Sequence, residues 1–136
     1  MSARRTVLFL CHGNSCRSQM AETIVHAHFP LWQAFSAGVN PVGNVHPMTI
    51  LALQELGMAH RGRSKSVDEF RTRVFDLVIA VCDEANEECP VWLGKGELKH
   101  ESFRDPAKAQ GTEEERLAVF RAVRDEIAAA LPRLLT

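Results

Sequence analysis

Cys11-His12-Gly13-Asn14-Ser15-Cys16-Arg17-Ser18 sets a cysteine and an arginine with five residues between them, and this is the stretch of the chain best equipped for chemistry. Five intervening residues can curl into a cradle whose backbone N–H groups point inward, and a helix starting at its end adds orphan donors and a positive dipole end. Gly13 permits close approach or positive φ, and Asn14 is the other residue type that tolerates the left-handed region. Arg17 carries the planar fork that clamps two oxygens of a tetrahedral anion. The same field favours a thiolate, so Cys11 is expected to be nucleophilic at neutral pH, with the Ser18 hydroxyl donating to its sulfur. The expected anion-binding set is His12, Gly13, Asn14, Ser15, Cys16, Arg17 and Ser18, within which Cys16 reads as a packing residue of the loop.

Two further elements could complete a reaction centre. Asp105-Pro106 offers a carboxylic acid able to protonate a leaving oxygen, although the same dipeptide also serves simply to start a turn. Cys82 ends an apolar run as Cys11 ends another, and if the two strands are neighbours their ends lie only about 5 Å apart. That edge is where open α/β sheets place ligands. Asp83 to Glu88 has a helix-compatible composition, and as a helix it would hold Cys82 and Cys89 about 10 Å apart at roughly 1.5 Å per residue. A disulfide needs Cα atoms within about 7 Å, so closing the pair would require unwinding the segment. The acidic residues Asp83, Glu84, Glu87 and Glu88 disfavour a resting thiolate, so Cys82 and Cys89 read as resolving thiols. Six intervening residues and the lack of a second cysteine pair argue against zinc, and no metal site is expected.

These residues need a scaffold, and the apolar pattern supplies one. Thr6 to Cys11 is a nearly continuous apolar run that fits a strand covered on both faces. Met20, Ala21, Ile24 and Ala27 then recur at helical spacing from about Cys16 to His28, until Pro30. Gln33 to Ala37 predicts a second strand, Pro47 opens a helix closed by Gly57, Asp76 to Cys82 predicts a third strand, and Leu98 to Phe103 a weaker fourth. Gly38 to Val45 and Pro90 to Lys99 read as loops. Thr112 and Glu115 form a capping box ahead of Leu117, Phe120, Val123, Ile127 and Leu131, with Pro132 expected to disturb the helix. Alternating strands and helices predict an α/β fold with an open parallel sheet wrapped on both faces.

With 136 residues the chain fits one domain, residues 1–136, with all the chemistry on one core. A formal net charge of -1 without a basic cluster gives no reason to expect nucleic acid or an anionic membrane as a partner. Arg4-Arg5 followed by Val7 to Leu10 is too short an apolar run for a signal peptide, and no transmembrane stretch is present. The expected compartment is the cytoplasm, where a cysteine pair is more often catalytic than structural. A monomer is expected.

On the strength of Cys11-His-Gly-Asn-Ser-Cys-Arg-Ser-Gln-Met-Ala-Glu22, Ser36-Ala-Gly38, Cys82 with Cys89-Pro90, and Asp105-Pro106-Ala107, the chain resembles the thioredoxin-coupled arsenate reductases. These share the low-molecular-weight protein tyrosine phosphatase fold, and the resemblance spans nearly the whole length. It implies a four-stranded parallel sheet of order 2-1-3-4, with strands 1 and 3 adjacent. It further implies that Cys11 attacks arsenate, assisted by Arg17 and Asp105. Cys82 then attacks the Cys11 sulfur as arsenite leaves, and Cys89 attacks Cys82 to give a disulfide that thioredoxin reduces. No bound cofactor is implied, since electrons come from thioredoxin. Some family members hold potassium through Asn, Glu, Ser and Asp; Asn14, Glu22 and Ser36 match, but Lys65 stands in the place of the Asp. A lysine ammonium can replace that cation. Around the acid, His100-Glu-Ser-Phe-Arg-Asp105 also departs from the tryptophan and second aspartate that many relatives carry.

The main competing reading is a low-molecular-weight aryl or tyrosine phosphatase, because the same cysteine, arginine and aspartate support phosphoryl transfer through a phosphocysteine. Hydrolysis has no use for Cys82 and Cys89, and the chain has no tyrosine where that family places tyrosines after its Asp-Pro. Arsenate reduction with a weak phosphatase side reaction is therefore the expected activity. A non-catalytic oxyanion or redox-sensing module, and a reductase coupled to glutaredoxin, are the remaining alternatives.

Overall fold

A computed structural model describes residues 4–60, 62–83, 92, 94 and 96–136 of the chain. Strand β1, Arg5–Cys11, lies between β2, Trp32–Gly38, and β3, Leu77–Ala80; β4, Glu97–His100, lies outside β3. All pairings are parallel, in the order β2-β1-β3-β4. The central strand is apolar throughout because both of its faces are covered. Its side chains alternate: Val7, Phe9 and Cys11 join one core, and Leu8 and Leu10 join the other.

The first core is closed by α1, Arg17–His28, α2, Pro47–Gln54, and α3, Glu113–Leu134. The opposite face is closed by the 3-10 helix Val67–Phe70 together with Phe75 and Trp92: Phe35, Phe70 and Phe75 meet one another edge to face, and Trp92 meets Phe75 in the same way. A short parallel bridge between Gly38 and Ser66 extends the sheet edge by one residue beyond β2.

Several boundaries differ from the sequence reading. The third strand is shorter than Asp76 to Cys82 at both ends. Asp76 is occupied by side-chain bonding, its carboxylate accepting from the Thr6 N–H at 2.7 Å. The Cys82 carbonyl accepts from His100 Nε2 and Ser102 Oγ instead of a ladder partner. β4 begins at Glu97, so Lys99 belongs to a strand and not to a loop. α3 continues past Pro132 to Leu134. The proline forgoes one helical hydrogen bond, but burial of Leu131, Leu134 and Leu135 carries the apolar face onward. The capping box of α3 is present as expected, with Thr112 and Glu115 bonding reciprocally. Among the described residues, no helix is long and apolar enough to cross a membrane.

Candidate active site

The turn from β1 into α1 forms a closed loop around the Cys11 sulfur. Asn14 takes the left-handed conformation at φ 50°, the only described non-glycine residue to do so, while Gly13 does not need it. That twist brings the Asn14 N–H to 3.2 Å from Cys11 Sγ. The Asn14 side chain donates to Ser18 Oγ at 2.8 Å, and Ser18 Oγ lies 2.8 Å from Cys11 Sγ, as the sequence predicted for the hydroxyl.

The loop's carbonyls are taken up from outside. His12 O accepts from Asn40 N–H, Gly13 O from Val42 N–H and Ser64 Oγ, Asn14 O from Gln19 Nε2, and Ser15 O from His46 N–H and Thr49 Oγ1. In a trans peptide the N–H opposes the preceding carbonyl, so the N–H groups of Gly13, Asn14, Ser15 and Cys16 turn inward. The start of α1 adds to this field, since Cys16 occupies its N-cap position without a side-chain capping bond.

Around this cradle lies a pocket of about 640 Å³, lined in part by Cys11, His12, Arg17, His46, Asp105 and Lys108. Arg17 is buried, with Nη1 donating to the Phe103 carbonyl at 3.1 Å and Nη2 lying 3.8 Å from Asp105 Oδ2. The Asp105 carboxylate also caps the 3-10 helix Pro106–Lys108 by accepting from the Ala107 N–H. Cysteine, arginine and aspartate are thus brought to one pocket, together with His12, Gly13, Ser15 and Cys16 from the expected set. The structure also brings in residues not singled out from sequence: Val42, Asn44, His46 and Lys108. Only His46 carried a local signal, standing before Pro47 where a helix cap belongs.

The cysteines differ in state. Cys16 sits in the apolar core, and burial pushes its thiol up to about 12, with Asp105 and Cys11 acting in the same direction. It stays a protonated packing residue at neutral pH. Cys11 and Cys16 are free, whereas Cys82 is disulfide-bonded. Leu10 pairs with Ala80 and its carbonyl accepts from the Val81 N–H, which puts Cys82 one residue beyond the position facing Cys11. Cys82 is fully buried and does not line the pocket, its sulfur lying 3.9 Å from His100 Nε2. Cys89 lies outside the described residues.

Asn14, Glu22 and Ser36, which the resemblance aligned with a potassium site, do not fit a metal cation here. Lys65 Nζ lies 3.3 Å from Ser36 Oγ and 4.0 Å from Glu22 Oε1, so an ammonium already faces those oxygens. Asn14 Oδ1 is also engaged, accepting from the Lys65 backbone N–H and from Gln19 Nε2.

Comparison with known proteins agrees with this geometry. Residues 6–136 match the model of the low molecular weight phosphotyrosine protein phosphatase family. An arsenate reductase of Halalkalibacterium halodurans is 42% identical over 126 residues, covering 91% of this chain and 90% of that protein. One from Bacillus licheniformis is 41% identical over 133 residues, with 96% and 95% covered. Among solved structures, an arsenate reductase in its phosphate-binding state superposes with a TM-score of 0.75 at 26% identity, covering 96% of each chain.

Proposed function

The chain belongs to the low molecular weight phosphotyrosine protein phosphatase family, and from that premise we propose that it reduces arsenate to arsenite through a relay of three thiols. The observation that carries this reading is the pairing of an anion cradle around Cys11 with a second, disulfide-bonded cysteine at the end of the neighbouring strand. A hydrolase needs the first and has no use for the second.

In this reading arsenate enters the pocket with its oxygens on the inward N–H groups and on Arg17, as a phosphate-like tetrahedral anion would. The Cys11 thiolate attacks arsenic, a hydroxyl leaves as water with a proton from Asp105, and a Cys11 sulfur–arsenic(V) bond results. Cys82 as a thiolate then attacks Cys11 Sγ. The sulfur–arsenic bond breaks with its electron pair going to arsenic, which leaves as arsenite, and a Cys11–Cys82 disulfide forms. Attack by Cys89 on Cys82 releases Cys11 and leaves a Cys82–Cys89 disulfide, which a dithiol such as thioredoxin reduces. Cys82 is disulfide-bonded in this structure, so that bond must first be reduced to free the thiolate that attacks Cys11.

The test is arsenate-dependent NADPH oxidation with thioredoxin and thioredoxin reductase, comparing the wild type with Cys11→Ser, Cys82→Ser and Cys89→Ser. Loss of turnover in all three variants is the expected result. Efficient hydrolysis of an aryl phosphate with no arsenate-dependent turnover would instead make the protein a phosphatase. The cradle supports a weak aryl phosphatase side reaction as well, which Cys11→Ser is expected to abolish while Cys89→Ser leaves it intact.

A further inference from the structure

Behind the nucleophile loop, on the side away from the pocket, residues 63–66 form a strap across its back. The Lys65 backbone N–H donates to Asn14 Oδ1 at 2.9 Å, and the Lys65 carbonyl accepts from the Gly38 N–H at 2.9 Å. Ser64 Oγ donates to Gly13 O, and Gln19 Nε2 joins Asn14 Oδ1 to the Arg63 carbonyl. The Lys65 side chain folds back under this strap, and with only a tenth of its surface exposed it is far more buried than lysines ordinarily are. Its Nζ donates to Ser36 Oγ and to the Arg63 carbonyl at 3.0 Å, facing a Glu22 carboxylate that is equally buried.

Such a pair is costly to bury and needs a reason. Its place in the bonding chain supplies one. The Lys65 ammonium pins the strap through Ser36 Oγ and the Arg63 carbonyl, and the strap's Lys65 backbone N–H in turn holds Asn14 Oδ1, Asn14 Nδ2 holds Ser18 Oγ, and Ser18 Oγ meets Cys11 Sγ, the last three links lying between 2.8 and 2.9 Å. We propose that Lys65 is a positioning residue for the Cys11 loop and serves as the built-in cation of the buried site behind it, so that the loop is ordered without a bound metal ion. This rests on the reading of Cys11 as the nucleophile. Burial raises the Glu22 carboxyl and lowers the Lys65 ammonium, each opposed by the other's charge, and the Cys11 thiolate acts on Lys65 in the direction that keeps it protonated.

The experiment measures iodoacetamide alkylation of Cys11, followed on its own peptide by mass spectrometry, at pH 6.5 and pH 9.5. It compares the wild type with Lys65→Gln and with the double variant Glu22→Gln/Lys65→Met, which removes the pair without leaving a lone buried charge. Both variants are expected to alkylate several-fold, up to about tenfold, more slowly at pH 6.5 and at wild-type rate at pH 9.5. A general loosening of the fold would change both rates alike. Wild-type turnover is expected to be the same in potassium and in tetramethylammonium at equal ionic strength, whereas Lys65→Gln gains in potassium. Wild-type alkylation at pH 6.5 in the double variant, or potassium-dependent turnover of the wild type, overturns the proposal. Alkylation requires no arsenate, so it reads the role of Lys65 whether or not the substrate has been correctly assigned.

Discussion

Cys11 and Cys16 are five residues apart in one loop and are built for opposite tasks. Cys11 Sγ receives the Asn14 N–H and the Ser18 hydroxyl and opens on the pocket, while Cys16 packs against the apolar core with its thiol pushed up to about 12. A thiol held that high donates no electrons at neutral pH. Cys16→Ala is therefore expected to keep arsenate turnover within about twofold and to cost about 1 kcal/mol of stability for the lost packing, read from urea unfolding. Turnover lost from a folded Cys16→Ala protein would place a fourth thiol in the relay. Ser18→Ala is the converse case. It removes one hydrogen bond to the nucleophile's sulfur and leaves the Asn14 amide without its acceptor, so kcat/KM is expected to fall about tenfold, as about 1.4 kcal/mol of lost stabilisation implies.

At the scale of elements, the site depends on how β1, β2 and the 63–66 strap converge. Gly38 ends β2 against the back of the loop, and a Cβ there would come within 2.5 Å of the His12 carbonyl oxygen and 3.0 Å of the Asn14 nitrogen. Both are backbone atoms that cannot rotate away, so Gly38→Ala is expected to displace the cradle. The expected result is a large rise in the dissociation constant for inorganic phosphate, measured by calorimetry, with a stability loss of about 1–3 kcal/mol. The β1–loop–α1 unit was legible in the sequence because its signals are local: an apolar run, a glycine-bearing break, an arginine and a helical repeat. The strap was not legible. Residues 63–66 have no periodicity, and they are fixed by contacts with Gly13, Asn14 and Gly38 that are 27 to 51 residues distant in the chain. The ends of β3 and α3 were missed for a related reason: side-chain bonds of Asp76 and burial of Leu134 override the local preferences of an apolar run and a proline.

Across the whole molecule, two histidines tie the site to the stability of the fold. His46 caps α2 by accepting the Met48 N–H on Nδ1, packs its ring on Phe120 of α3, and lines the pocket. Its protonation is disfavoured by burial and by Arg116, with Asp105 opposing. His60 bonds Gln19 behind the loop, and burial and Lys65 lower its affinity for a proton. Both are neutral in the native state at pH values where the unfolded chain has already taken up protons, near the ordinary histidine value of about 6.5. The unfolded state then binds more protons, so stability falls as pH drops through that value and recovers above it. The melting temperature is accordingly expected to be lower at pH 5.5 than at pH 7.5. His46→Asn tests the mechanism, because asparagine also accepts the cap hydrogen bond but does not titrate. Its expected signature is a smaller difference between the two pH values at a similar melting temperature at pH 7.5, and an unchanged difference would move the acid sensitivity away from the α2 cap.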